Sequence, residues 1–377
     1  MSSISKSQNQ SIQKSKRLCF VSSTLSNGGA ERALSNLLCN MDLTHLEVTV
    51  LLLNGVVTYP VPSSVKIVDL RKRSPFHIPL CFILLMYHLL KLKPKIVISV
   101  WSFPSLLTGL AMFFTRSKSI WIPRIANNPA DEEFGWKKWV FNWLYKKADG
   151  FIVLCNELRD NFIAHYPFSS GKTYLIRNGF NLSELNGKAT QLSPDILIPN
   201  EPFMVSVGSL TDQKRHDVLL TAYAQLPESD QIPLLILGGG PLHDNLTALA
   251  NKLGIINKVH FKGFVTNPYP YVKHAKLFVL ASDFEGLCNA AIEAQCLGTP
   301  AVITSCPTGN REIVVEGQTG FLVPIGDPQK MAQSISKALN QKTISSQMRI
   351  DSERLVSEKY KIQRSVADMH SLIEEIC

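Results

Sequence analysis

The stretch Leu277-Phe278-Val279-Leu280-Ala281-Ser282-Asp283-Phe284-Glu285-Gly286-Leu287-Cys288-Asn289-Ala290-Ala291-Ile292-Glu293-Ala294 runs from four apolar residues, through a polar turn, into an alanine-rich segment. The apolar tetrad Leu277–Leu280 reads as a short buried strand, and Gly286 permits a sharp turn after it. Asn289 is suited to cap the helix that follows, and Glu293 falls one turn inside that helix. A strand feeding a helix through a tight turn is the repeating unit of a parallel sheet, so an α/β architecture is expected.

The same stretch carries chemistry. Backbone N–H groups from Gly286 to Ala290 have no partners inside the helix and suit the oxygens of a diphosphate. Glu293, deeper in, is placed to hold a vicinal diol such as a ribose by paired hydrogen bonds, with Glu285 at the other end of the ligand. The competing reading is a solvated acidic loop ahead of an ordinary helix. Asp283 and Glu285 superficially form a metal-binding acidic pair, but no third ligand lies nearby and no metal site is expected.

Outward from this point the strand–turn–helix rhythm recurs along the chain. Arg17–Ser22, Val48–Leu53, Val65–Leu70, Ile96–Val100, Ser119–Ile122 and Phe151–Leu154 read as strands of a first sheet. Phe203–Val207, Pro233–Leu237, Val259–Phe261 and Ala301–Thr304 join Leu277–Leu280 in a second. The expected organisation is two tandem Rossmann-like, doubly wound domains with a ligand cleft between them. The expected division is a disordered tail over 1–16, a first domain over 17–182, a linker over 183–200, a second domain over 201–350, and closing helices over 351–377, with a crossing back to the first domain as one option.

Two further loops stand where ligands bind in such sheets. Ser26-Asn27-Gly28-Gly29-Ala30-Glu31-Arg32 separates the first strand from its helix, and its glycines let a ligand approach the backbone closely. No further glycine follows at the dinucleotide spacing, and a plain tight turn is the competing reading. Val207-Gly208-Ser209-Leu210-Thr211-Asp212-Gln213-Lys214-Arg215-His216-Asp217 opens the second sheet. Lys214 and Arg215 read either as surface charge or as a cationic clamp on a leaving phosphate. His216 reads as a surface residue at the start of a helix.

The 377 residues are 45% apolar and 18% charged, which excludes a disordered or collagen-like chain. The eight cysteines include no pair at two-residue spacing, so neither a zinc knuckle nor a redox motif is present, and a reducing cytoplasm fits. The formal charge of +9 is unevenly spread. Residues 1–190 hold 23 Lys+Arg against 11 Asp+Glu, net +12, and the remainder is net −3. Leu80–Leu92 is strongly apolar, follows Arg71-Lys72-Arg73 and is closed by Lys91, Lys93 and Lys95. It reads either as a core-facing helix or as one lying in the interface of an anionic membrane. Trp136–Trp143 reads as a packed amphipathic helix rather than a nucleic-acid platform, and no nucleic-acid partner is expected.

Taken together, these motifs resemble the retaining glycosyltransferases of family 4, which have the two-domain GT-B fold. The likeness runs from about Arg17 to Tyr360 and is strongest from Val207 to Pro328. It rests on Glu285 and Glu293 eight positions apart, Gly238-Gly239-Gly240-Pro241, Gly298-Thr299-Pro300, Thr308-Gly309 with Glu312-Ile313, and Gly317 with Gly320–Pro324. Gly28-Gly29-Ala30-Glu31-Arg32 resembles a subgroup that extends lipopolysaccharide or polyprenyl-diphosphate-linked saccharides.

The resemblance implies a nucleotide-sugar donor, most often a UDP-sugar, and a lipid-linked acceptor. Glu293 would bind the ribose. Lys214, with backbone N–H groups at Gly286, Leu287 and Asn289, would hold the diphosphate. Glu285 would bind donor-sugar hydroxyls near the anomeric centre, and Val265 would pass the base. Gly28 and Gly29 would lie across the cleft. Similar enzymes need no metal or cofactor, and the leaving phosphate itself is proposed to deprotonate the acceptor, so no protein nucleophile is assigned. Two positions depart from the pattern. Ser209 stands where many relatives have a phosphate-binding Arg, with Arg215 as a possible substitute. Asn127 lies in a segment where many relatives carry a histidine.

The leading expectation is therefore a hexosyltransferase seated at the cytoplasmic face of a membrane through its basic first domain. A sugar-nucleotide epimerase on the same fold and a non-catalytic sugar-nucleotide or glycan-binding protein are the alternatives.

Overall fold

The computed structural model describes residues 15–26, 28–129, 135–191, 197–340 and 342–376. Most of the expected tail, Asn27 of the first glycine loop and 192–196 of the expected linker lie outside the described residues.

The first sheet has seven parallel strands: β1 (Lys16–Ser22), β2 (Leu46–Leu52), β3 (Lys66–Asp69), β4 (Ile96–Val100), β5 (Ile120–Ile125), β6 (Phe151–Val153) and β7 (Thr173–Leu175). Their order is β3-β2-β1-β4-β5-β6-β7, with the chain reversing direction across the sheet between β1 and β4. Helices α1 (Gly29–Asn40), α2 (Ile78–Leu92), α3 (Ser102–Thr115), α4 (Trp136–Tyr145), α5 (Asn156–His165) and α6 (Leu182–Thr190) belong to this half. The second sheet has six parallel strands: β8 (Met204–Val207), β9 (Leu234–Leu237), β10 (Val259–Gly263), β11 (Leu277–Leu280), β12 (Ala301–Thr304) and β13 (Gly320–Val323). Their order is β10-β9-β8-β11-β12-β13, reversing between β8 and β11. Around it lie α7 (His216–Ala224), α8 (His243–Lys252), α9 (Tyr269–His274), α10 (Asn289–Cys296), α11 (Asn310–Ile313) and α12 (Pro328–Asn340). The chain closes with α13 (Lys342–Asp351), α14 (Ser357–Tyr360) and α15 (Ile362–Ile376).

Central strands such as β4, β9, β11 and β12 are buried at every residue, which is why they read as apolar runs, broken only by Ser99 and Thr304, rather than as alternating ones. The edge strands β7 and β13 are additions to the expected set. β7 is three half-buried residues, too short and too exposed to leave a hydrophobic signature. β13 begins at Gly320, where a Cβ would collide with the Ala301 carbonyl oxygen of its neighbour strand.

The expected linker needs correction. Its first part is α6, N-capped by Asn181, whose side chain accepts from the Glu184 N–H at 3.1 Å. α6 buries Leu185 and Ala189. Its end is held to the second domain where Asn267 donates to the Lys188 carbonyl at 2.8 Å. At the other end of the chain, α15 lies on α1 of the first domain. There Met369, Leu372 and Ile373 share a core with Leu34, Leu37 and Leu38. The chain crosses back just before it, where Phe180 and Ile362 exchange backbone bonds with Tyr360 and Phe180.

Candidate active site

In open α/β sheets a crevice forms where the strand order reverses, because adjacent connections leave in opposite directions. Each sheet here has one such point, and the two face each other. From the first come the Gly28-Gly29 turn after β1 and Trp101 after β4. From the second come the loop Gly208–Arg215 after β8 and the loop Ser282–Asn289 after β11.

The approach between the two halves is close. Asn289, the first residue of α10, donates to the Gly29 carbonyl at 2.9 Å and accepts from Asn178 at 2.8 Å. Asn178 in turn takes a hydrogen bond from Arg124. A Cβ on Gly29 would lie 2.7 Å from the Asn289 amide nitrogen, and one on Gly286 would collide with the Ala126 carbonyl, beside Asn127. Both glycines therefore lie at the contact between domains: backbone leaves no room for a side chain at Gly286, and at Gly29 the Asn289 amide would have to shift.

Glu285 is buried and forms an ion pair with Lys214. It also accepts from Ser282 Oγ at 2.7 Å. Burial is the largest single influence on the Lys214 ammonium and disfavours it, but the attraction and hydrogen bond of Glu285 together with the nearby Cys288 and Cys306 hold its pKa above the ordinary lysine value. The two loops are tied by backbone as well: Gln213 donates to the Phe284 carbonyl at 2.8 Å, and Asp283 N–H to the Gln213 carbonyl at 3.0 Å.

Glu293 is buried one turn inside α10 and forms an ion pair with Arg32 of α1, across the domain boundary. Arg32 also donates to the Tyr269 hydroxyl at 2.9 Å. Burial pushes the Glu293 carboxyl above the ordinary glutamate range, opposed chiefly by the Arg32 charge. Next to Arg32, Glu31 accepts from the Trp101 indole N–H at 2.9 Å. Trp101 carries φ +76°, a region costly for any residue with a Cβ, and such strain concentrates at ligand sites.

Two expectations change. Arg215 is engaged by two carboxylates rather than standing free as a phosphate cation. Its guanidinium is held by both oxygens of Asp283 at 3.0 Å and by Asp217 at 3.0 Å, on a left-handed backbone with φ +45° that turns the side chain away. His216 is no surface residue: it is 2% exposed, neither ring nitrogen has a hydrogen-bond partner, and burial pushes its pKa down to about 4. Ser209 faces Thr211 at 3.3 Å, so the loop offers a hydroxyl where an arginine was noted as missing. Leu287 is buried beneath Gly309, leaving its backbone N–H as the group of interest, and Val265 is half-buried on the loop after β10.

Sequence reading passed over Arg32 as a site residue although it quoted the motif containing it, and it missed Tyr269, Asn178, Arg124 and Trp101 altogether. A second interdomain carboxylate was also missed. Glu312 accepts from the Glu157 N–H at 3.2 Å and the Asn156 N–H at the start of α5, and pairs with Arg177 at 3.2 Å and Lys359 at 3.3 Å. Among the described residues no three His, Cys, Asp or Glu side chains gather as a metal cluster. The cations at the boundary are Lys214 and Arg32, each paired with a buried carboxylate, and Arg124, which donates to Asn178.

Residues 27–184 match the family model described as "Glycosyltransferase Family 4" and residues 190–355 the one described as "Glycosyl transferases group 1". The chain is 29% identical over 329 residues to the N-acetylgalactosamine-N,N'-diacetylbacillosaminyl-diphospho-undecaprenol 4-alpha-N-acetylgalactosaminyltransferase of Campylobacter jejuni, covering 84% of this chain and 88% of that protein. It is 33% identical over 136 residues to the lipopolysaccharide core biosynthesis glycosyltransferase LpsE of Rhizobium meliloti, covering 36% of this chain and 39% of LpsE. Anabaena HepE, solved with UDP and glucose, shares the fold with a TM-score of 0.79 at 18% identity, over 96% of this chain and all of HepE.

Proposed function

We propose that this chain, which belongs to the glycosyltransferases by matches spanning both halves and has their GT-B fold, moves a hexose or N-acetylhexosamine from a UDP-sugar to a lipid-linked saccharide with retention of configuration. The observation that carries the reading is the convergence of two carboxylates eight positions apart, Glu285 and Glu293, with a cation each, around the amide end of α10 at the mouth of an interdomain cleft. A nucleotide-sugar needs that set: a diol acceptor at one end, an anion site in the middle and a hydroxyl acceptor at the sugar.

On this reading the diphosphate lies on the N–H groups of Gly286, Leu287 and Asn289, where no intrahelical carbonyl competes. Lys214 then changes partner, from Glu285 to the leaving phosphate, at the moment negative charge develops on it. Glu285, released, faces the sugar hydroxyls. Glu293 takes the ribose hydroxyls in place of Arg32. Asn127, beside Gly286, is positioned to touch the sugar or the acceptor without acting as a base. The relative's printed name describes an α-linked product on a diphospho-undecaprenol carrier, which supports a lipid-linked acceptor here and agrees with retention for an α-linked donor. The Gly28–Arg32 loop supports placement in the same subgroup.

The test is a donor screen with a membrane lipid extract, following UDP release and product mass. Release that depends on both the extract and Glu285, with a product one sugar heavier, is expected. Conversion of the UDP-sugar without any acceptor would mean an epimerase, and UDP binding without turnover on any acceptor pool a binding protein.

A further inference from the structure

The surface of the first domain carries a face that the cleft chemistry does not use. α2 has two apolar stripes. Cys81, Leu85 and Leu89 form one and are buried against the sheet. Leu80, Ile83, Tyr87 and Leu90 form the other, at the same helical spacing, and point into solvent. Ile83, Tyr87 and Leu90 are 57%, 52% and 53% exposed, and Phe76, just ahead of α2, is 94% exposed. The face does not stop at α2. Phe82 meets Phe114 of α3 at 6.2 Å between ring centroids, and Phe113 meets Trp143 of α4 at 5.2 Å. Phe114 and Trp139 stand 65% and 72% exposed beside them. Pro75–Leu92 is apolar and long enough to cross a membrane, yet its inward stripe belongs to the domain core, so it lies along the surface.

The charge around this face is predominantly positive, with Asp149 in its groove, Asp69 paired to Arg73 and Asp131-Glu132-Glu133 ahead of α4 in the sequence as the acidic exceptions. Residues 71–130 contain nine Lys+Arg and no Asp or Glu. Lys72, Lys91 and Lys147 lie over the rings of Phe103, Tyr87 and Phe113 respectively, with Lys147 also over Trp143. Arg116 and Lys118 line a groove at the end of α3 beside Phe113, where the Asp149 carboxylate accepts from the Trp121 N–H. Aromatic rings ringed by lysines match the interface of a bilayer, with rings at headgroup depth and ammonium groups on lipid phosphates. A soluble protein partner would need carboxylates spread over the same three-helix width.

We infer that the outer faces of α2, α3 and α4 form a single docking surface for an anionic lipid bilayer. The surface runs from Phe76 and Phe103, at the carboxyl ends of the strands where Gly28 and Gly29 also lie, to Phe113 and Phe114 at the amino ends. The inference rests on this surface geometry and complements the proposed lipid-linked acceptor.

Flotation of the full chain with vesicles tests it. The protein floats with vesicles of phosphatidylcholine containing about one third phosphatidylglycerol, and poorly with phosphatidylcholine alone. Ile83→Glu with Phe114→Glu abolishes flotation, and Lys91→Gln or Lys147→Gln each weakens partitioning about fivefold. All these side chains are exposed, and an unchanged melting temperature verifies folding. Flotation indifferent to phosphatidylglycerol, or unaffected by the glutamate pair, overturns the inference. So does sedimentation as a dimer that the glutamate pair dissociates, since the face would then belong to a second copy. No donor or acceptor enters the measurement, so a failed transferase assay leaves its outcome standing.

Discussion

Lys214 and Glu285 neutralise each other in a buried pocket, so removing either partner does two things at once. It leaves an unpaired charge in a poorly solvated site, costing up to about 3–5 kcal/mol, and it removes a group from the cleft. A double variant separates the two effects. Lys214→Met lowers the melting temperature and reduces kcat by about 10²–10³-fold, the scale for losing one charge-stabilising donor. Lys214→Met with Glu285→Gln recovers the melting temperature and leaves kcat low. Full recovery of both would show a purely structural pair. At Glu293 the readout is pH. A carboxylate held above its usual range by burial gains its proton at higher pH than an exposed one, and once protonated it loses acceptor sites for a diol. UDP affinity therefore falls toward acid. Arg32 is the main charge opposing that protonation, so in Arg32→Ala the acid limb of the UDP-binding profile moves to higher pH, measurable by calorimetry.

Among the elements, α7 carries a stability consequence of its own. Its first residue, His216, is neutral when folded because burial and the nearby Lys214 charge depress its pKa to about 4. The unfolded chain takes up that proton near pH 6.5. Stability from this group is thus complete above pH 6.5 and is lost as pH falls from 6.5 to 4, by about 3 kcal/mol in all. Urea denaturation across that window should show a flatter acid decline in His216→Leu than in the parent chain. At α10 the element does what its sequence suggested, opening on Asn289 with Glu293 one turn in. What the sequence left out is its surroundings. Asn289 bonds the opposite domain rather than capping its own helix, whose N-cap, Cys288, makes no side-chain cap bond.

The two domains share a continuous buried apolar cluster and are also joined by hydrogen bonds and ion pairs such as Arg32–Glu293, so opening to admit a donor parts both kinds of contact. Gly286 sets how near they come. Gly286→Ala has its new methyl against the Ala126 carbonyl, so the halves cannot close fully. The radius of gyration measured by small-angle scattering rises, and transfer falls by about tenfold or more as the reacting groups lose alignment. An unchanged radius with lost activity would instead place the damage inside the α10 loop.

Much was legible without coordinates. Central strands announce themselves because both faces are buried, so β9 and β11 appear as unbroken apolar runs and β8 and β12 as runs with a single hydroxyl residue, and the loops after β1, β8 and β11 carry glycines and charges that nothing in a core requires. The fold and the second-domain half of the candidate site follow from such local patterns. The pairings did not follow. Arg32 lies 261 positions before Glu293, Asn178 lies 111 before Asn289, and Gly286 meets Ala126, so each contact exists only once two sheets are set edge to edge. Whether Arg215 faces a phosphate or Asp283, whether His216 is wet or buried, and whether the second apolar stripe of α2 looks inward or outward are questions of orientation. Residue order records what a side chain is; its partners depend on loop closure over long separations, and only the tertiary structure decides them.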